Sequence, residues 1–129
     1  MGERPDLPKE FRSEVRTAFA YLTESEGFSE PEDDGLGLVF RRGGLAVRLW
    51  YHDGREPTVS TGLLSVDPDG TPGRKHVWLD DLYTALGCGP PQDVLSSAFT
   101  RRAMLKRVHA HAAALRRVLP LLDGEIPEV

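Results

Sequence analysis

"LGLVFRRGGLAVRLWY", residues 36–51, spells out a β-hairpin in its residue types. Gly43-Gly44 suits a two-residue turn, whose positive φ angles a residue without Cβ adopts at little cost. With those two residues as the loop, position 42 pairs with 45, and the numbers of every facing pair add to 87. Leu36, Leu38 and Phe40 then lie opposite Tyr51, Leu49 and Val47 on one face. The other face carries Gly37, Val39 and Arg41 opposite Trp50, Arg48 and Ala46. A slip of one residue would mix the two sets, so the sorting itself specifies the register.

Outward from the hairpin, the rest of the sheet follows. "TVSTGLLSV" (58–66) reads as a third strand, with Val59, Thr61 and Leu63 facing inward, and "RKHVW" (74–78) as a short fourth. The acidic stretch 29–35, "HDGREP" and "DPDGTPG" read as loops and turns. Before the sheet, residues 8–26 form an amphipathic helix. Phe11, Val15, Ala18, Phe19 and Leu22 repeat at helical spacing, Asp6 and Pro8 mark the start, and Gly27 with Phe28 the stop. After it come a short helix, "LDDLYTALG", capped by Asp80 and ended by Gly87, and a helical region from about Gln92, bending near Phe99 or Thr100. That region ends near Val118, because Pro120 would clash with the Arg116 carbonyl. Leu105, Val108, Ala112, Leu115, Leu119 and Leu122 form its apolar stripe.

The expectation is an α+β fold. An N-terminal helix precedes a four-stranded antiparallel sheet, and two or three C-terminal helices pack on one sheet face. Residues 1–129 make a single domain by length, with 1–7 and 123–129 loosely ordered. At 40% hydrophobic and 28% charged residues, a core forms without staples. A lone cysteine, Cys88, excludes an internal disulfide and indicates a reducing, cytoplasmic setting. The net charge of −4 argues against nucleic acid as a partner, and no segment nears the ~20 apolar residues of a membrane span. The N-terminus has no apolar signal core.

"KRVHAHAAALRR" (106–117) looks most like chemistry. On a helix His109 and His111 point to nearly opposite sides, whereas helical zinc pairs use i, i+4 spacing. No acid or cysteine lies between Asp93 and Asp123 to add a ligand. The stretch therefore reads as a solvated basic face, with His109 in a row with Arg102, Lys106 and Arg116, and His111 at the edge of the apolar stripe. His52-Asp53 lacks a nucleophile, and Cys88 follows a helix C-terminus, where the dipole disfavours the thiolate. "DPDG" (67–70) has Trp78 where a calcium loop needs its final Glu. No catalytic residue, metal ligand or cofactor is assigned.

Two surface features remain. Residues 24–34 carry six acids and no base, and residues 94–122 six bases and no acid. Such segregation either steers a partner or draws two parts of the fold together. On the outer sheet face, Trp50 stands beside Arg48 and Arg41, the residue types most enriched at binding hot spots. Trp50 is either an exposed anchor or a cover for Gly37 or a terminal segment. Trp50, Arg48 and Arg41, with Arg102 and Lys106 on the basic helix, are the candidate partner-binding residues.

Arginine far outnumbers lysine and asparagine is absent, as in GC-rich bacterial genomes. "FRSEVRTAFAYLTESEGF", the alternating hairpin, "VWLDDLYTALG" and the long Leu/Ala/Arg helix follow an order similar to small uncharacterised actinobacterial single-domain proteins. The order also resembles some immunity proteins of bacterial polymorphic-toxin systems. The resemblance implies an interaction protein without catalytic residues, binding another protein or a second copy of itself, and it transfers no site. The alternative is a small-molecule-binding or enzymatic domain with a pocket between sheet and helices.

Overall fold

A computed structural model describes residues 6–122 and 126. The fold is α+β. Helices α1 (Leu7–Ala18) and α2 (Ala20–Glu24) precede strands β1 (Glu32–Asp33), β2 (Gly37–Arg42), β3 (Leu45–His52), β4 (Thr58–Val66) and β5 (Pro72–Trp78). Helix α3 (Leu79–Ala85), a 3-10 turn (Pro91–Val94), helix α4 (Arg101–Val118) and a second 3-10 turn (Leu119–Leu121) complete the order. The strands form one antiparallel meander in chain order, β1 to β5.

The hairpin has the register its glycines dictate. Leu38 faces Leu49, Val39 faces Arg48, Phe40 faces Val47 and Arg41 faces Ala46. Gly43 has φ +55°. Gly37 has a separate reason to lack a side chain, since a Cβ there would collide with the Leu49 carbonyl. Leu38, Phe40, Val47, Leu49 and Tyr51 are buried, joined on β4 by Val59, Thr61 and Leu63. Leu36 departs from the expected inner set: it precedes β2 and is exposed, and only its carbonyl joins the sheet, accepting from Tyr51 N.

Against this inner face pack α1, α3 and α4, and the shared core includes Phe11, Val15, Phe19, Leu82, Met104, Val108 and Leu115. Asp6 caps α1 by accepting from Lys9 N, and Leu7 already belongs to the helix rather than to a loose end. The expected 8–26 helix is split at Phe19 (ψ 15°), so that Phe19, Tyr21 and Leu22 are all buried. Gly27 takes φ +77°, and Phe28 returns its N–H to the Leu22 carbonyl, the expected stop. At the other end, Ile126 is buried in the core although the tail reads as loose. The remaining residues of 1–5 and 123–129 lie outside the described set.

Four sequence expectations need correction. The sheet has five strands, because Glu32 and Asp33 pair with Val39 and Leu38. Two exposed acids carry no alternation, and backbone pairing alone makes this strand. Asp80 does not cap α3; Trp78 occupies that position without a side-chain bond, and Asp80 lies in the first turn. The α4 helix starts at Arg101, where Thr100 accepts from Ala103 N, rather than near Gln92. Residues 96–98 instead extend the sheet beside β4, through Val59 N to Ser96 O and Ala98 N to Pro57 O, both 2.8 Å. Leu105 is only partly buried, and Met104 takes the core position.

Candidate binding face

The ladders set the outer face in rows across the sheet. Gly37, Trp50 and Ser60 make one row, Val39, Arg48, Gly62 and Trp78 the next, and Arg41, Ala46, Leu64 and His76 the third. Val39, Ala46 and Trp50 are buried yet stand apart from the helix-covered core. Their own neighbours shield them.

Trp50 is 9% exposed, which corrects its reading as an exposed anchor. Its ring lies over Gly62, where an added Cβ would meet ring carbons at 3.2 and 3.4 Å. Trp78 packs edge-on against it at 5.4 Å between centroids, and His76 packs edge-on against Trp78 at 4.7 Å. The Arg48 guanidinium stacks 4.5 Å from the Trp50 ring centroid. The exposed aromatic of this face is Trp78, at 41%.

Asp34 holds the cluster together. One carboxylate oxygen accepts from Leu36 N (3.1 Å) and Gly37 N (2.8 Å). The other accepts from Arg48 Nε (3.1 Å), Arg48 Nη2 (2.5 Å) and Trp50 Nε1 (3.2 Å). Burial by itself would raise the Asp34 carboxyl; the bonds from Arg48, Gly37 and Leu36 and the Arg48 charge outweigh it and hold it below its ordinary range. In the sequence Asp34 stood out only as one acid of the 24–34 stretch, and His76 and Trp78 were not among the candidate residues. Alternation within "RKHVW" around the inward Val77 marks both as outward.

The segregated charges do not meet. Asp33 pairs with Arg12 (2.7 Å), Glu32 with Arg41 (3.1 Å), Asp34 with Arg48 and Glu26 with Arg42 (3.7 Å). On α4, Arg101 pairs with Glu10 and Arg107 donates to the Ser97 carbonyl. Arg116 stacks on Tyr21, and Arg117 donates to the Tyr83 hydroxyl, which itself donates to Asp93. Arg102 and Lys106 are exposed on α4, the helix that packs on the inner face of the sheet, whereas Trp50 is on the outer face, so the candidate residues fall into two groups rather than one site.

The two histidines of the basic helix separate as their spacing requires. His109 is on the surface and pairs with Glu14 of α1. His111 is 3% exposed, deeper than the stripe edge expected of it. Its Nε2 lies 2.8 Å from the Leu95 carbonyl, which can only accept, so Nε2 carries the proton. Nδ1 then accepts from the Thr61 hydroxyl at 2.8 Å. Burial lowers the His111 pKa. Beside the ring, a cavity of about 70 Å³ is lined by Ser60, Thr61, Trp78, Asp80 and Ser96, room for about two waters.

Among the described residues, no three His, Cys, Asp or Glu side chains group as a metal site, and no helix is long and apolar enough to cross a membrane. Asp69 accepts from the Thr71 N–H and hydroxyl, and Gly70 N donates to the Asp67 carbonyl, so "DPDG" is a turn. The chain matches no protein-family model, no curated protein and no solved structure.

Proposed function

We propose that this chain is a non-enzymatic cytoplasmic module that binds another protein through the outer face of its sheet, in the manner of bacterial immunity or antitoxin proteins. One observation carries the reading. The helices pack on the opposite face, yet this face holds Trp78, 41% exposed, in a pre-ordered cluster with Trp50, His76 and Arg48. Aromatic and arginine side chains already fixed in place lose little entropy on binding, which is what a hot spot requires. The two histidines that suggested chemistry support the same reading, since His111 and His109 are each engaged in structural bonds.

A pull-down from the native host tests this with three proteins: wild type, Trp78→Ala, and Arg102→Glu with Lys106→Glu. A stoichiometric protein partner lost with Trp78→Ala and kept by the charge reversal is the expected result. Loss only on charge reversal moves the site to α4. Sedimentation of the purified protein distinguishes a second copy as the partner. A co-purifying metabolite in place of a protein supports the small-molecule alternative.

A further inference from the structure

Gly62 and Ala46 both lie on the outer face without a bulky side chain, and the chain treats them differently. The Trp50 ring fills the space over Gly62. Over Ala46 there is instead a pocket of about 200 Å³. Val39, Ala46, Leu64 and Val66 line its floor, and the β4–β5 turn and the start of β5 supply a wall through Gly70 and Pro72. The volume admits about six or seven water-sized groups, below the usual range for drug-sized ligands.

Two guanidiniums line this apolar site, Arg41 and Arg48, diagonal neighbours around Ala46 in the ladder. Among the described residues, Arg41 bonds only through Nη1, to Glu32 at the surface, and Arg48 through Nε and Nη2, to Asp34. Arg41 Nε and Nη2 and Arg48 Nη1 therefore have donor capacity left. The one acid lining the pocket, Asp34, is saturated by the five donations described above. The site is thus apolar at its floor, and its rim carries unused guanidinium N–H donors on two arginines that are each paired with an acid.

We propose that this pocket binds a small aliphatic monocarboxylate, its hydrocarbon end over Ala46 and its carboxylate on Arg41 and Arg48. Charge-assisted bonds from a guanidinium suit a carboxylate, and an apolar floor rejects a fully hydrated anion such as acetate. The exposed Arg41–Glu32 pair is weak enough to yield. This inference stands apart from the protein-binding reading and holds or fails without it.

Hexanoate is titrated into the ¹⁵N-labelled protein while amide resonances are followed, with 1-hexanol as the uncharged match. Saturable shifts are expected at Val39, Arg41, Ala46, Leu64 and Val66. Hexanol should bind about tenfold more weakly or worse. Ala46→Leu, which fills the pocket, should abolish the shifts while the melting temperature holds. Arg41→Gln should weaken hexanoate several-fold and leave hexanol unchanged, and it reads the same site should Ala46→Leu fail to fold. Non-saturating shifts, equal binding of hexanol, or full hexanoate binding by both variants overturns the proposal.

Discussion

The two faces of one sheet are buried by different means. The inner face lies under α1, α3 and α4, and Leu38, Phe40, Val47 and Leu49 are shielded by residues far away in sequence. The outer face shields itself. Trp50 lies across Gly62, Arg48 lies on Trp50, and one carboxylate, Asp34, binds both. Apolar packing is non-directional and follows area, so the inner face responds to volume. The outer cluster depends on directed bonds from a group that is costly to bury unpaired, so it responds to charge.

This contrast can be broken by substitution. Phe40→Ala or Leu49→Ala should cost about 2–5 kcal/mol in chemical denaturation, the range for a large core side chain. A melt unchanged by either would mean the hairpin register is wrong. Trp50→Ala should come next, at about 2–4 kcal/mol, because the ring is buried and fills the space over Gly62. If it leaves stability untouched, the self-shielding of the outer face is refuted.

Asp34→Ala should cost about 1.5–3 kcal/mol by removing the acceptor of Arg48 and Trp50. In a double-mutant cycle with Trp50→Ala the loss in the double variant should fall short of the sum of the two single losses, and additivity would show that Asp34 does not hold the indole.

Acid separates the faces by their pH windows. His111 has a folded pKa below its ordinary 6.5, so its contribution is complete above pH 6.5. As pH falls from 6.5 toward the lower folded value, the unfolded chain takes the proton first and that contribution is lost. Asp34 has a folded pKa below 3.8; its contribution is complete above pH 3.8 and is lost as pH falls through the lower folded value. His111→Asn should flatten the upper window alone and Asp34→Asn part of the lower. Matching stability profiles for wild type and His111→Asn between pH 7.5 and 5 would contradict the buried neutral imidazole. Trp78→Ala should have the smallest effect on stability, about 0.5–1 kcal/mol for a side chain left 41% exposed, while weakening a protein partner by about 2 kcal/mol.

The sequence by itself determined what depends on near neighbours. Gly43-Gly44 set the turn, the turn set the register, and alternation assigned each hairpin residue to a face. Asp6 and Gly27 act on backbone close by in the chain, so the start and stop of the first helical region were legible, whereas Thr100, whose bond to Ala103 N is just as local, was read only as a bend. The tertiary structure decided what depends on partners distant along the chain. Residues 96–98 join the sheet only because β4 offers an open edge beside them. His111 is a core residue only because Thr61 and the Leu95 carbonyl meet its two nitrogens. Trp50 was legible as an outward residue but not as a buried one, since its cover comes from Asp34, sixteen residues earlier, and from His76 and Trp78 on β5. Periodicity reports which way a side chain points; whether water reaches it is fixed by what the rest of the chain places there.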